Sequence, residues 1–322
     1  MAPWYAWAPW GGEYWLARFL LQRGLALTYL VAFLVAARQF RPLAGEDGLL
    51  PLSEYTERYE FRQKPSLFYY LDSDRALAAG AWGGVALAVL ALFGVPGRLP
   101  GAFGLPPVVG LVAYVLVWAA MWALYLSFVN AGGTFYGFGW ESMLCECGFL
   151  AVFLGAPGLV APAVVIYLFR WVEFRNMFGA GLIKVRGDDC WRDLTCMNYH
   201  YETQPMPNPV SWFAHRLPDR FHRAAVLGNH AMELAVPFLF FAPQPLAAVA
   251  GVATIAFQGW LILTGNFSWL NWLTVVLAVA TFSDATLSWL PVDGVAHALA
   301  AGTVGPAPLA LWVAVGLLVS SI

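Results

Sequence analysis

The sequence predicts an all-α fold: a polytopic transmembrane helix bundle of eight or nine spans, forming a single transmembrane domain over 1–322. Hydrophobic residues make up 60% of the chain and charged residues 11%, against about 25% charged in soluble domains. Mean hydropathy is +0.65. Apolar runs close to the roughly 20 residues needed to cross a bilayer recur from end to end. They are continuous rather than alternating, which excludes a β-barrel.

The elements follow in order. The opening MAPWYAWAPW holds no Lys or Arg, and the first is Arg18, so no cleavable signal peptide is expected. Trp4, Trp7, Trp10 and Trp15 read as an interfacial belt leading into a first span near 16–37. A polar segment, 38–75, comes next, followed by spans near 76–94 and 108–129. The run 143–156 is short for a crossing and is read either as a span or as re-entrant. A further span near 158–178 leads into a second polar segment, 170–223. Spans near 224–242, 246–264, 268–288 and 303–321 complete the chain. No internal repeat and no low-complexity linker interrupts it.

Charge is distributed to match. Most of the 17 Lys and Arg residues lie in 38–75 and 170–223, and none follows Arg223. Placing Arg18, Arg23 and Arg98 on the cytoplasmic side puts both polar segments on the non-cytoplasmic face, provided 143–156 crosses. An integral membrane location follows, the plasma membrane of a bacterium or the endoplasmic reticulum of a eukaryote. The formal charge of −2 and the lack of any basic block give no reason to expect nucleic acid as a partner.

Cysteine usage fits an oxidising outer segment. Cys190 and Cys196 are expected to form a disulfide there, with two free thiols as the alternative. Cys145 and Cys147 fall in an apolar run and face different directions on a helix, as buried thiols do.

Several ionisable side chains stand out against this background. Arg170, Glu173 and Arg175 close the fifth span in LFRWVEFRNMFGAGLIK. Arg170 and Glu173 can meet on one helix face, and the trio reads either as a bundle-interior network or as interfacial snorkelling. Lys184 follows the small residues Gly179, Ala180 and Gly181, which permit close approach of a helix or ligand. It reads as a base in an apolar vestibule or as a lysine reaching the headgroups. Glu146 and Glu233 sit among apolar neighbours and need partners, and Lys184 is expected to point into a cavity beside Glu146 or His200 rather than into the headgroups. His230 and Glu233 share a helix face. Together with His200 and Glu202 they make a metal site conceivable in principle, yet no metal-binding spacing such as HExxH occurs, so no metal and no cofactor is expected. Asn229, His230, Asn266 and Asn271 read as polar contacts between helices. No GxSxG, P-loop or dinucleotide motif is present. The proline-broken, aromatic-rich 200–223 stretch reads as a lid or a partner surface.

The string FRNMFGAGLIKVRGDDCWRDLTCMNYHYETQPMPNPVSWFAH, with LGNHAMELAVPF and LTGNFSWLNWLT after it, closely resembles the lipase maturation factor family. QFRPLAGEDGLLP and GGTFYGFGWESMLCECGFLAVFL are similar to that family's N-terminal half. The resemblance implies an endoplasmic-reticulum-type membrane protein that helps secreted or membrane-associated lipase-like clients to fold and assemble. It also implies a polar C-terminal domain past the last span, where this sequence ends at Ile322. More distantly, GAGLIK followed by Trp191 resembles the membrane core of vitamin K-dependent γ-carboxylases, in which a lysine deprotonates a reduced quinone. That likeness implies the alternative, a membrane enzyme with Lys184 as base on a lipid or quinone-like substrate, in a cavity lined by Glu146, His200 and His230.

Overall fold

A continuous apolar run whose core-facing residues recur every third or fourth position folds as one long helix, α1, Trp15–Ala44. Its buried line runs through Ala17, Leu21, Leu25, Tyr29, Phe33, Ala36 and Phe40. The computed structural model describes residues 14–156, 161–204, 206 and 208–290. Among these, every regular element is helical. The chain divides into two compact units, one built on residues up to Val165 and one from Ile166 to Trp289.

In the first unit α1 packs with α3 (Asp74–Leu92), α5 (Pro107–Gly132) and α6 (Gly139–Val152). The polar segment between α1 and α3 carries α2, Leu52–Arg58. It closes over one end of the unit: Ser66 Oγ donates to Ser127 O (3.2 Å), Asn130 Nδ2 to Pro65 O (2.7 Å), and Arg41 holds Asp74 Oδ2 through Nε (3.2 Å) and Nη2 (3.1 Å). A T-shaped aromatic column, with Phe33 on Tyr125 and Phe40 on Phe128, fills the core beneath it. At the other end, Arg23 Nη1 donates to the carbonyl of Ala91 (2.5 Å) in the last turn of α3, where a cation meets the negative pole of the helix. Gly94, at φ +66°, lets the chain leave that helix left-handed before α4, Val95–Phe103.

The short fourth apolar run is α6, and it runs antiparallel to α5. The buried Tyr125 hydroxyl donates to Glu141 near the start of α6. Tyr114, eleven positions earlier on α5, donates to Ala151 O (3.4 Å) near the end of α6. Gln22 Nε2, in the N-terminal part of α1, reaches Gly155 O (2.9 Å). The run therefore lies alongside α5 from Tyr125 to Tyr114, a stretch shorter than either α5 or α1.

Among the described residues, five helices are long and apolar enough to cross a membrane: Trp15–Ala44, Asp74–Leu92, Pro107–Tyr136, Asp219–Phe241 and Leu246–Thr264. Length and apolarity alone thus support five spans of the eight or nine expected. α6 and the run Leu270–Thr281 are shorter, and α7, Ala163–Arg186, carries Arg170, Glu173 and Arg175 within its length. The expected last span, 303–321, and Trp4, Trp7 and Trp10 lie outside the described residues.

The second unit begins in α7. It continues through the short helices α8 (Asp189–Arg192), α9 (Met197–His200) and α10 (Pro209–His215) into α11 (Asp219–His230). It ends in α12 (Leu246–Thr264), α13 (Leu270–Ala278) and α14 (Asp284–Leu287).

One contact in the first unit is tight enough to test. Tyr29 Oη donates to Leu144 O (3.0 Å) across the bare backbone of Gly148, where a Cβ would overlap the hydroxyl. Gly148→Ala should destabilise the protein by about 1–3 kcal/mol, the usual cost of overpacking. A lowered melting temperature in detergent checks it, and Tyr29→Phe combined with Gly148→Ala should recover part of the loss.

Candidate functional site

The polar centre of the second unit is shaped by a proline. Pro237 has no amide hydrogen, and in a regular helix its ring would collide with the carbonyl of Glu233, four residues earlier. The chain widens instead. After α11 it passes through a π turn, Ala231–Ala235, in which the Val236 amide reaches back to Ala231 O, and then a 3-10 stretch, Val236–Phe241. Such wide turns re-aim side chains and recur at functional positions. Here His222, Val226, Asn229 and Glu233 form the buried line of the segment.

α7 meets this line through Gly181. A Cβ there would lie 2.6 Å from Leu234 Cδ2 and 3.0 Å from Glu233 Cβ. Close approach at Gly181 brings the last turn of α7 within reach, and Lys184 Nζ donates to Glu233 Oε1 (2.5 Å) and Asn229 Oδ1 (2.9 Å). Glu233 is only 3% exposed, so a compensating cation is what makes its burial tolerable. The small-residue run thus admits a neighbouring helix. Gly181 makes the contact, while Gly179 faces open space. The carboxylate partner of Lys184 is Glu233. Of the two expected neighbours, His200 lies close enough to feel the Lys184 charge, while Glu146 belongs to α6 of the first unit; no sequence period shows how the π turn aims Glu233.

The segment after α7 docks on this pair. Cys190 and Cys196 are disulfide-bonded with Cα atoms 4.7 Å apart, closing a ring that contains Trp191 and Arg192. The Trp191 indole lies 5.0 Å from Lys184 Nζ in a cation–π contact, and its carbonyl is 3.0 Å from His230 Nε2. The His200 ring packs edge-on to Trp191, with centroids 6.2 Å apart, and stacks at 6.5 Å with Phe267. Burial, and after it the charge of Lys184, lowers the pKa of His200 below its ordinary value. Lys184, Glu233, Asn229, His200 and His230 are thus gathered around Trp191. Glu233 Oε2 and His230 Nδ1 have no hydrogen-bond partner among the described residues.

The rest of the expected intramembrane network separates into independent roles. Arg170 is 1% exposed and gives its guanidinium to main-chain carbonyls: Nε to Ala280 O (2.7 Å), Nη1 to Phe240 O (3.1 Å) and Nη2 to Thr281 O (3.4 Å). It thereby satisfies carbonyls at the C-terminal ends of two helical stretches, Val236–Phe241 and Val279–Thr281. Glu173, three residues on and fully buried, makes no hydrogen bond among the described residues. The expected Arg170–Glu173 pairing gives way to these carbonyls. Arg175 lies on the exposed face of α7. Asn266 is exposed and accepts from Ser268 N (3.4 Å), so it shapes a turn and joins no helices. Asn271 is buried in α13.

Polar links that sequence reasoning passed over are Asn176 Nδ2 to Thr274 Oγ1 (2.9 Å), between α7 and α13, and Gln258 Nε2 to Met177 Sδ (3.3 Å), between α12 and α7. A lone amide within an apolar run was the available signal for both. Among the described residues no group of three or more His, Cys, Asp and Glu side chains is arranged to hold a metal ion.

The profile of the lipase maturation factor transmembrane domain matches residues 16–289. Lipase maturation factor 1 of Homo sapiens is 44% identical over 295 residues, covering 88% of this chain and 51% of that protein. Lipase maturation factor 1 of Bos taurus is 45% identical over 302 residues, covering 88% and 52%. Lipase maturation factor 2 of Homo sapiens is 34% identical over 304 residues, covering 87% and 41%. The chain therefore spans about half the length, or less, of these relatives. No solved structure matches it.

The buried pair makes an asymmetric prediction. Lys184→Met leaves the Glu233 carboxylate uncompensated and should cost about 3 kcal/mol, near the low end for a broken buried pair because Lys184 keeps some solvent. Lys184→Met combined with Glu233→Met should recover most of that, as read by chemical unfolding in detergent. Equal losses in the single and double variants would show that the two residues act independently.

His200 makes a second prediction. Its folded pKa lies below the unfolded one, so the stability it contributes is present above about pH 6.5 and is lost as pH falls toward the lowered folded value. His200→Gln should flatten the acid limb of a profile of melting temperature against pH. A limb unchanged by the substitution would contradict the burial of the imidazole.

Proposed function

We propose that this chain, which belongs to the lipase maturation factor family, assists the folding or assembly of secreted or membrane-associated lipase-like clients, holding them without turnover of its own. It is an integral membrane protein. The family supports the client class, since relatives sharing most of this chain are named for lipase maturation. The observation that carries the holding role is an exposed apolar surface on the segment between the apolar helices α1 and α3. Segment 45–73 is polar in sequence, yet Leu49 is 72% exposed and Tyr70 76%, with Leu50, Phe61, Leu67 and Leu71 also exposed. Tyr69 and Tyr70 pack against Phe61 with centroids 5.8 and 6.1 Å apart, and Tyr55 packs against Tyr69 at 5.4 Å. A rigid, tyrosine-rich apolar patch of this kind is how protein partners are held.

The topology that serves this role has eight or nine crossings and places 38–75 and 170–223 on the non-cytoplasmic side, in the bacterial plasma membrane or the endoplasmic reticulum. The antiparallel run of α6 beside α5 supports the crossing that this arrangement needs. Single cysteines introduced at Glu57 and Arg216, with Cys145 and Cys147 replaced by Ser, should both label from the non-cytoplasmic side with an impermeant maleimide. Labelling from opposite sides would overturn the crossing count.

The holding role is tested by co-expressing a secreted lipase with the full chain. Tyr70→Ser combined with Leu71→Ser should lower the yield of active lipase about tenfold, the effect of removing roughly 1.4 kcal/mol of binding, with the abundance of the chain unchanged. The Lys184→Met, Glu233→Met double variant should leave the yield near wild type. If that variant is folded and abundant yet inactive, the polar centre takes part directly and the holding role falls.

A further inference from the structure

The end of α12 fixes where α10 lies. α12 is an apolar spanning helix, and its final turn holds the segment that leads into α10. Gln204 Nε2 donates to Thr264 O (3.1 Å), and Asn208 Nδ2 donates to Ile262 O (3.3 Å) and Gly265 O (3.2 Å). Asn208 then caps α10 by accepting from Val210 N (2.9 Å). α10 therefore begins at the level where α12 leaves the hydrocarbon, and it ends just before the spanning stretch Asp219–Phe241 enters it.

The two faces of α10 differ. Ser211 and Ala214 are buried against the protein, while Val210, Trp212 (52% exposed) and Phe213 (65% exposed) face outward, continued by Leu217 and Phe221. Three exposed arginines are set into this ledge: Arg216, whose guanidinium lies 3.5 Å from the Trp212 ring centroid, Arg220 and Arg223. None of them forms an ion pair among the described residues. Asp219 is the one carboxylate among residues 206–223, so the stretch is net basic. Arg220 and Arg223 also occupy the first turns of α11, where the helix dipole disfavours a cation. The nearby Glu202 carboxylate is paired with His215 (3.4 Å), so the three exposed guanidinium groups remain available to an anion from outside.

We infer that α10 is an interfacial helix whose Trp212–Phe213 face lies at the boundary between headgroups and acyl chains, and that Arg216, Arg220 and Arg223 together bind the phosphodiester of a membrane phospholipid, anionic lipids most strongly. Arginine matches a phosphate with paired donors, and tryptophan beside it favours the interface over bulk water or hydrocarbon. The aromatic ledge selects a lipid over free phosphate, because a soluble anion would leave Trp212 and Phe213 uncovered.

The test uses the full chain in nanodiscs containing phosphatidylcholine with or without phosphatidylglycerol, with native mass spectrometry counting the lipids retained. Wild type should retain phosphatidylglycerol preferentially. Arg216→Gln, Arg220→Gln and Arg223→Gln combined should lose that preference, each arginine being worth about fivefold in affinity, while the triple Arg→Lys variant, which keeps the charge and loses the paired donors, falls between the two. A spin label at Phe213→Cys, in the background lacking Cys145 and Cys147, should be accessible to oxygen and shielded from an aqueous nickel reagent. Unchanged retention in the Gln variant, or a label exposed to the aqueous reagent, overturns the assignment and makes this ledge a protein-binding face. Displacement of the lipid by millimolar glycerol 3-phosphate would overturn it in favour of a soluble phosphate ligand.

Discussion

Pro237 cannot donate a backbone hydrogen bond, and the polar centre of the second unit depends on how the chain accommodates that. A regular helix from Asp219 onward would drive the proline ring into the Glu233 carbonyl. The π turn at Ala231–Ala235 relieves the clash and keeps Glu233 in line with Asn229 on the buried side. Gly181 completes the arrangement, since only a residue without a Cβ lets α7 approach the turn closely enough for Lys184 to reach the carboxylate. The ion pair in turn presents its ammonium to Trp191, which the disulfide ring holds in place. A backbone constraint in one helix thus determines where the disulfide-closed segment docks.

The same logic governs Arg170. Inside a bilayer an unsatisfied carbonyl costs several kcal/mol, and the stretches ending at Phe241 and Thr281 would leave carbonyls of that kind. One guanidinium with five donors in a fixed fork serves three of them. A lysine could not span them, so the identity of the residue follows from geometry as much as from charge. Gln244 adds a further donor to Thr281 O at 2.6 Å.

Features controlled by local chemistry were legible in the sequence. Apolar length revealed the helices, the Cys190–Cys196 spacing in a polar segment revealed the disulfide, and the small residues before Lys184 revealed a close helix contact. What stayed hidden was set by long-range geometry. Arg170 and Glu173 stand at a spacing that invites pairing, yet Arg170 is committed to carbonyls 70 to 111 residues away. Glu233 could not be chosen over Glu146 as the partner of Lys184, because its direction depends on a π turn that no periodicity announces. Asn266 looked like a contact between helices because apolar runs flank it, but the left-handed Ser268 beside it marks a turn.

The surroundings of Lys184 bear on whether the site works by catalysis or by shape. A lysine acting as a general base needs a lone pair directed at substrate, in a pocket that disfavours the ammonium. Here the nitrogen donates to a carboxylate at 2.5 Å and an amide oxygen at 2.9 Å and lies 5.0 Å from an indole face, while the side chain keeps some contact with solvent. Lys184 is therefore committed to a brace joining α7, the π turn and the disulfide ring. A preformed brace limits the entropy lost when a partner is held, which is what the proposed folding role would ask of this unit.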